Sequence, residues 1–224
     1  MEKRKYPVIA IDGPAGSGKS TIAKLLAKRL GFRHIDTGAI YRGVAWVALQ
    51  KTVDLDNEAA VTAIAKSISF DFISTPLGST LTMDGKNVGQ EIRTEEVGKL
   101  ASKISAYPGV RAALLDLQRE LGKEGAAVLE GRDIATVVFP DAEVKLFLTA
   151  SIEERATRRL KELVQKGKKA EIETVKKEMM LRDRQDSSRS VAPLKKAADA
   201  IEIDTSGLTI ESVLDHLELI LKKA

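Results

Sequence analysis

The sequence has no cysteine, two histidines, two asparagines and nine aromatic side chains (three Tyr, five Phe, one Trp) among its 224 residues. The missing cysteine excludes disulfides and thiolate metal sites, and it fits a reducing compartment. The scarcity of aromatics leaves no interleaving of basic and aromatic residues of the kind that stacks bases. That argues against a non-catalytic RNA-binding protein, the reading a basic excess would otherwise favour. The two asparagines, Asn57 and Asn87, lie outside any N-K-x-D, so no guanine-reading signature is present. Long hydrophobic runs are absent too. The N-terminal MEKRKYPVIAIDG has a short apolar run cut by Asp12, too short for a secretory or membrane-spanning segment. A cytoplasmic protein with no membrane partner is expected.

What is present is an ordinary globular composition, 43% hydrophobic and 30% charged. The 36 basic and 32 acidic residues leave a net charge of +4, which matters only if it is focused in one cleft. Val8 to Asp12 reads as a buried parallel strand. Ser20 to Leu30 carries apolar residues at helical spacing and is closed by Gly31. Further strands are predicted at Phe32 to Asp36, Ala126 to Glu130, Val144 to Leu148 and Ala200 to Asp204. Helices are predicted at Ala39 to Leu49, from the capping-box pattern Ser151-Ile-Glu-Glu154, and over Leu208 to Leu221. Strands alternating with helices imply an α/β fold, a five-stranded parallel sheet flanked by helices. Two segments break the rhythm. Phe70 to Val88 reads as a small antiparallel β insertion turned by Pro76, Gly78 and Asp84-Gly85. Arg155 to Arg189 reads as a long, highly charged helical stretch broken at Gly167.

Residues 13 to 21, Gly13-Pro14-Ala15-Gly16-Ser17-Gly18-Lys19-Ser20-Thr21, fit G-x-x-x-x-G-K-[ST] between a strand and a helix. Glycines let backbone N–H groups approach phosphate oxygens, and the helix N-terminus adds partial positive charge. Lys19 is placed to reach the β- and γ-phosphates, and the Ser20 hydroxyl to ligate Mg²⁺. The loop therefore predicts a nucleoside triphosphate. A small-acceptor kinase needs in addition a second anion site, rich in arginine. Arg132 follows a strand directly at its carboxyl end, where ligands bind in open α/β sheets. Arg42 starts a helix after the second strand, and Arg111 lies on the helix before the third. Arg155, Arg158 and Arg159 lie one turn apart. Arg182 and Arg189 are seven apart with Asp186 between them. Arginine grips phosphate bidentately, which a lysine-rich solvated face does not. Glu130 stands where an acidic residue would orient Mg²⁺-bound water; the alternative is a strand-end carboxylate paired with a neighbouring arginine. His34 and His216 read as structural, and Trp46 as core. Phosphoryl transfer to an ionised phosphate requires no general base.

IDGPAGSGKST, IDTGAIYR (35 to 42), EIRTEEV (91 to 97), EGRDI (130 to 134), FPDAEVK (139 to 145) and RDRQDSSRSVAPL (182 to 194) together resemble the bacterial cytidylate kinases over nearly the whole chain. The resemblance implies phosphorylation of CMP and dCMP by ATP with Mg²⁺, in a P-loop kinase fold with a monophosphate-binding region and a mobile lid. On that basis residues 1–36, 105–150 and 190–224 are the core, 37–104 the monophosphate-binding region and 151–189 the helical lid. Carried over by motif, Thr37, Tyr41, Arg42 and Arg132 hold the acceptor near its phosphate. Ser102, Arg111 and Asp133 read the pyrimidine, and Arg182, Asp186 and Arg189 close from the lid side. Lys19, Arg132, Arg155 and Arg159 are the candidate catalytic groups. Ala135 stands where the family pattern commonly has glycine. The expected partners are ATP and CMP or dCMP, without nucleic acid, and the expected state is a monomer. The alternative is a P-loop kinase of another nucleoside monophosphate or a small metabolite.

Overall fold

The computed structural model describes residues 4–75 and 78–222. In chain order the elements are β1 (Val8–Asp12), α1 (Lys19–Leu30), β2 (Arg33–Asp36), α2 (Thr37–Gln50), α3 (Glu58–Ser67), β3 (Phe70–Thr75), β4 (Gly78–Met83), β5 (Lys86–Asn87), α4 (Glu95–Ile104), α5 (Pro108–Gly122), β6 (Ala127–Gly131), β7 (Val144–Thr149), α6 (Ile152–Gln165), α7 (Ile172–Ser187), β8 (Ile201–Asp204) and α8 (Ile210–Leu221). The five predicted core strands form one parallel sheet in the order β2-β6-β1-β7-β8.

Every residue of β1 is buried, because the strand sits at the centre of a sheet covered on both faces. Its side chains divide by the period of two. Val8 and Ala10 join a core with Ile40, Val44 and Leu114 of α2 and α5. Ile9 and Ile11 face the other way, into a core with Ile22 and Leu26 of α1 and Val213 and Leu217 of α8. Burying each of these valine, isoleucine and leucine side chains contributes about 1.5–3 kcal/mol. The helix α1 ends as the sequence predicts. Gly31 takes φ 69°, its N–H donates to Lys28 O, and Phe32 N donates to Ala27 O at 2.8 Å.

The β insertion is a three-stranded antiparallel sheet, β3-β4-β5. Asp84 and Gly85 turn β4 into β5 with φ 48° and 78°, the double positive φ of a tight hairpin turn. The turn expected at Pro76 lies outside the described residues. Phe70, Phe72, Leu81 and Met83 of this sheet share the α2–α5 core. Gly43 of α2 permits the approach: a Cβ there would lie 2.7 Å from the Phe70 ring and 2.8 Å from Met83 Sδ.

The charged stretch is two helices, α6 and α7, joined through Gly167 at φ 73°. They share a small core of their own, Ala156, Val175 and Met179. Ion pairs from Lys168 Nζ to Glu95 Oε2 (2.6 Å) and from Lys99 Nζ to Glu178 Oε1 (3.3 Å) tie the pair to α4. The expected capping box at Ser151 is half formed. Ser151 Oγ accepts from Glu154 N at 3.2 Å, but Ser151 N donates to Ser206 Oγ, and Glu154 instead pairs with Arg158. The helices α3 and α4, with no strong signal in the sequence, are capped by Asn57 and Thr94. No helix among the described residues is long and apolar enough to cross a membrane.

Candidate active site

The carboxyl ends of β1, β2 and β6 meet in register, Asp12 beside Gly131 and Asp36 beside Glu130. The chain crosses from β1 to β2 over β6 and from β6 to β7 over β1, so the crevice lies where ligands bind in open α/β sheets. The glycine loop leaves β1 here. Gly13, Gly16 and Gly18 all have positive φ. A Cβ on Gly13 would lie 2.0 Å from Leu148 O, and one on Gly16 would lie 2.8 Å from Met179 Cε. Gly18 caps α1 without any side-chain bond, leaving the first-turn N–H groups for an anion. Lys19 is buried and donates to Pro14 O at 2.6 Å and to Ser17 Oγ at 3.3 Å. Burial, with Arg132 nearby, pushes its amine down to about 7.

Ser20 Oγ donates to Glu130 Oε2 at 2.6 Å. The other carboxylate oxygen, Oε1, lies 3.0 Å from His34 Nε2, and Thr37 Oγ1 donates to the Glu130 carbonyl at 2.8 Å. Burial pushes Glu130 up, but the bonds from His34 and Ser20 and the Lys19 charge outweigh it, so its carboxyl lies below its ordinary range. Asp36 beside it is pushed up by burial and by Glu130, and its side chain caps α2 at Ala39 N. Among the described residues Glu130 therefore has hydroxyl and imidazole partners and no arginine. A hydroxyl and a carboxylate are the hard oxygen donors that suit Mg²⁺.

Facing the loop is a cluster of guanidinium groups around one carboxylate. Arg132 Nε donates to Asp186 Oδ2 at 2.9 Å, and Arg189 bonds the other oxygen. Asp186 is 1% exposed. Burial raises it, but Arg132, Arg189 and Arg182 more than reverse that, so it lies low. Arg182 Nε is buried without a hydrogen-bond partner, and burial with the neighbouring Arg132 lowers the group to about 10. Arg42 reaches Ile92 O at 3.4 Å and lies against Gly98; burial lowers it as well. One carboxylate thus serves several buried cations, an arrangement that favours a bound anion. Two placements differ from expectation. Arg42 sits in the second turn of α2, not at its start, and Arg189 lies past the end of α7, bonded back to Asp186 rather than sharing a helix face with Arg182.

Arg111 and Asp133 form a buried ion pair, with Arg111 NH1 also donating to Ser105 O at 3.1 Å. The Arg111 guanidinium lies 5.5 Å from the Tyr41 ring centroid. Asp133 precedes a π-helical turn, Ile134–Val138, whose first N–H groups are held by Asp12: Ile134 N donates to Oδ1 at 2.9 Å and Ala135 N to Oδ2 at 2.8 Å. Burial raises Asp12 to about 6. Ala135 is helical with negative φ, so its methyl group fits where glycine is common.

The α6–α7 pair contacts the loop directly. Arg155 NH1 donates to Ala15 O at 3.1 Å and to Asp183 Oδ2 at 2.6 Å, while Nε donates to Ala150 O. Arg158 donates to Thr205 Oγ1 and Thr205 O, and Thr205 Oγ1 donates to Ser17 O at 3.1 Å, bracing the loop from β8. Arg159 is turned to Glu162 at 3.0 Å. Ser102 is half-buried within α4, and its carbonyl accepts from Ser105 Oγ. Ser105, which nothing in the sequence marks, holds both Arg111 and Arg189. Asp12 did carry a signal, an acidic residue ending an otherwise apolar strand. Asp183 carried none within a run already rich in charge. His34 reads as structural in the sequence yet bonds Glu130, whereas His216 is exposed on α8.

The model of the family described as cytidylate kinase matches residues 9–223. A cytidylate kinase of Geobacter sp. strain M21 is 49% identical over 216 residues, covering 96% of this chain and 93% of that protein. One of Geobacillus sp. strain WCH70 is 50% identical over 209 residues, covering 93% of each. A crystal structure of an uncharacterized protein from Eubacterium ventriosum superposes with a TM-score of 0.55 at 11% identity, covering 97% of this chain and 99% of that one, a likeness of fold alone.

Proposed function

The chain belongs to the cytidylate kinase family, and from that premise we infer that it transfers the γ-phosphoryl group of ATP to CMP and dCMP, giving CDP and dCDP. The observation that supports how it does so is the register of Asp12 with Gly131. It sets the glycine loop leaving β1 and Arg132 leaving β6 on adjacent strands, opening into one crevice. Two anions drawn there would meet head to head.

Phosphoryl transfer needs in-line positioning and positive charge around the moving group. The loop N–H groups and Lys19 would hold the donor phosphates, Lys19 exchanging Pro14 O for a phosphate oxygen. Arg42, Arg132 and Arg182 would hold the acceptor phosphate against its repulsion from the γ-phosphate, with Asp186 and Arg189 setting their positions. Thr37 and Tyr41 would line the same side. Arg111 and Asp133 would read the cytosine edge: the ring acceptors N3 and O2 suit a guanidinium, and the N4 amino group suits a carboxylate. Arg155 joins the α6–α7 pair to the loop at Ala15 O, and Arg159 would swing from Glu162 toward the transferring group. Residues 151–189 would act as the lid that excludes water, with residues 37–104 as the monophosphate-binding region.

Ser20 and Glu130 would hold Mg²⁺, Ser20 directly and Glu130 through water. When bound, the ion would neutralise charge on the β- and γ-phosphates. Ser20 suits this because its proton is already donated to Glu130, which leaves its lone pairs to act as a ligand.

The test is ADP release across all common nucleoside monophosphates, with and without Mg²⁺. CMP and dCMP are expected to lead and Mg²⁺ to be required. Faster turnover of another acceptor would transfer the reading to a kinase of that acceptor.

A further inference from the structure

A continuous chain of side chains runs from the small antiparallel sheet to the glycine loop. Ser79 Oγ of β4 lies 3.0 Å from His34 Nδ1 and donates to the His34 carbonyl at 2.5 Å. The same imidazole bonds Glu130 Oε1 through Nε2 at 3.0 Å, and Glu130 Oε2 accepts from Ser20 Oγ at 2.6 Å. The His34 side chain is 10% exposed and that of Glu130 is 4% exposed. An ionised carboxylate only accepts, so Nε2 carries the proton in this bond.

The geometry determines what each link does. A serine hydroxyl has one proton and two lone pairs and rotates freely unless the proton is engaged. Glu130 engages it. Glu130 in turn is held at two points, one oxygen by Ser20 and the other by His34, so the carboxylate plane cannot turn. With the proton on Nε2, Nδ1 is left to accept, so Ser79, a residue of the other sheet, holds the imidazole from the far side when its single proton turns from the His34 carbonyl to Nδ1. Removing His34 would leave Glu130 hinged on Ser20 alone, and the Ser20 lone pairs would lose their fixed direction.

We propose that His34 is a positioning residue for the divalent-cation form of the nucleotide: with Ser79 it aims Glu130, and through Glu130 it aims the Ser20 hydroxyl. The small sheet thereby takes part in cation–nucleotide binding without touching either ligand. This rests on Ser20 and Glu130 being the Mg²⁺ side of the site. A buried histidine that merely satisfied the core would, on replacement, cost stability and nothing specific to the metal.

The experiment is calorimetric binding of a non-hydrolysable ATP analogue to the full chain, with and without Mg²⁺. The proteins compared are the wild type, His34→Phe, His34→Gln and Ser79→Ala. The wild type is expected to bind more tightly with Mg²⁺. In His34→Phe that tightening should shrink about tenfold or more, the range seen when a partner of a metal-site ligand is removed. Its metal-free affinity should hold. His34→Gln, whose amide N–H can still reach Glu130, should recover most of the increment, and Ser79→Ala should fall between. If His34→Phe does not fold, Ser79→Ala against His34→Gln carries the comparison, and equal, undiminished increments in those two would overturn the proposal. A full Mg²⁺ increment in His34→Phe would overturn it, and so would an equal loss with and without metal. No Mg²⁺ increment in the wild type would instead overturn the Ser20–Glu130 metal reading, and this inference with it.

Discussion

Asp186 is shared between Arg132 and Arg189, one carboxylate oxygen to each guanidinium. Arg132 comes from the end of β6 and Asp186 from α7, 54 residues apart. The bond therefore joins the core to the proposed lid, while Arg132 NH1 donates to Gly131 O at 3.2 Å. Replacing Arg132 with Ala should lower kcat by ~10³, the lower end of what a transition-state arginine supplies. ATP binding should stay nearly intact, because Arg132 gives its hydrogen bonds to Asp186 and to Gly131 O and acts on the glycine loop only through its charge. Steady-state kinetics with a parallel ATP titration check this; loss of ATP binding with kcat preserved would refute the role at the acceptor.

Lys19 yields a prediction about pH. Its amine is held down to about 7 by burial and by Arg132, so the folded protein disfavours the charged form. A bound polyphosphate reverses this and draws a proton onto the amine. Above pH 7, ATP binding should take up close to one proton, and its affinity should fall by about tenfold per pH unit. Phosphate titrates near 6 and does not interfere between pH 7.5 and 9. Calorimetry in buffers of different ionisation enthalpy measures the uptake, and Lys19→Met should abolish it.

The parts of this molecule that were readable in advance are those governed by local rules. β1 and α1 follow from an apolar run, a glycine loop and a helical stripe closed by Gly31. The Asp84-Gly85 hairpin follows from two residues that accept positive φ. The arginines could be chosen as ligands because strand ends and i, i+4 spacings are visible in one dimension. Their partners were not visible. Asp183 under Arg155, Ser105 under Arg189, and His34 beside Glu130 are contacts over 28 to 96 residues of sequence. Such pairings are set by how the sheets and helices dock, which no short-range pattern encodes. The half-formed box at Ser151 shows the same limit: its N–H is claimed by Ser206, 55 residues on in sequence and just past the neighbouring strand β8.

Gly98 offers a way to move one arginine without changing any charge. A Cβ at this position would lie 2.9 Å from Arg42 NH1. That contact is too close, but the intruding atom meets the free end of a flexible side chain, so the fold can accept it. Gly98→Ala should melt within a few degrees of the wild type, helped by the better helix propensity of alanine inside α4. The displaced guanidinium should raise KM for CMP and leave KM for ATP unchanged. A variant with both constants at wild-type values would remove Arg42 from the acceptor site.

Base selection should depend on Asp133. Cytosine offers an amino donor where uracil offers a carbonyl acceptor, so uracil would set a lone pair against a buried carboxylate. An unpaired buried polar group costs about 1–3 kcal/mol, which is roughly 5- to 150-fold in kcat/KM for CMP over UMP. Asp133→Asn should narrow that ratio toward unity, since an amide can turn either a donor or an acceptor to the base. The same change should lower kcat/KM for CMP as well, because Arg111, bonded otherwise to Ser105 O, loses its buried counter-charge. Measuring kcat/KM for both nucleotides in both proteins separates the two effects. A ratio unchanged by the substitution would mean that the pyrimidine is read elsewhere and that the Arg111–Asp133 pair only braces the turn.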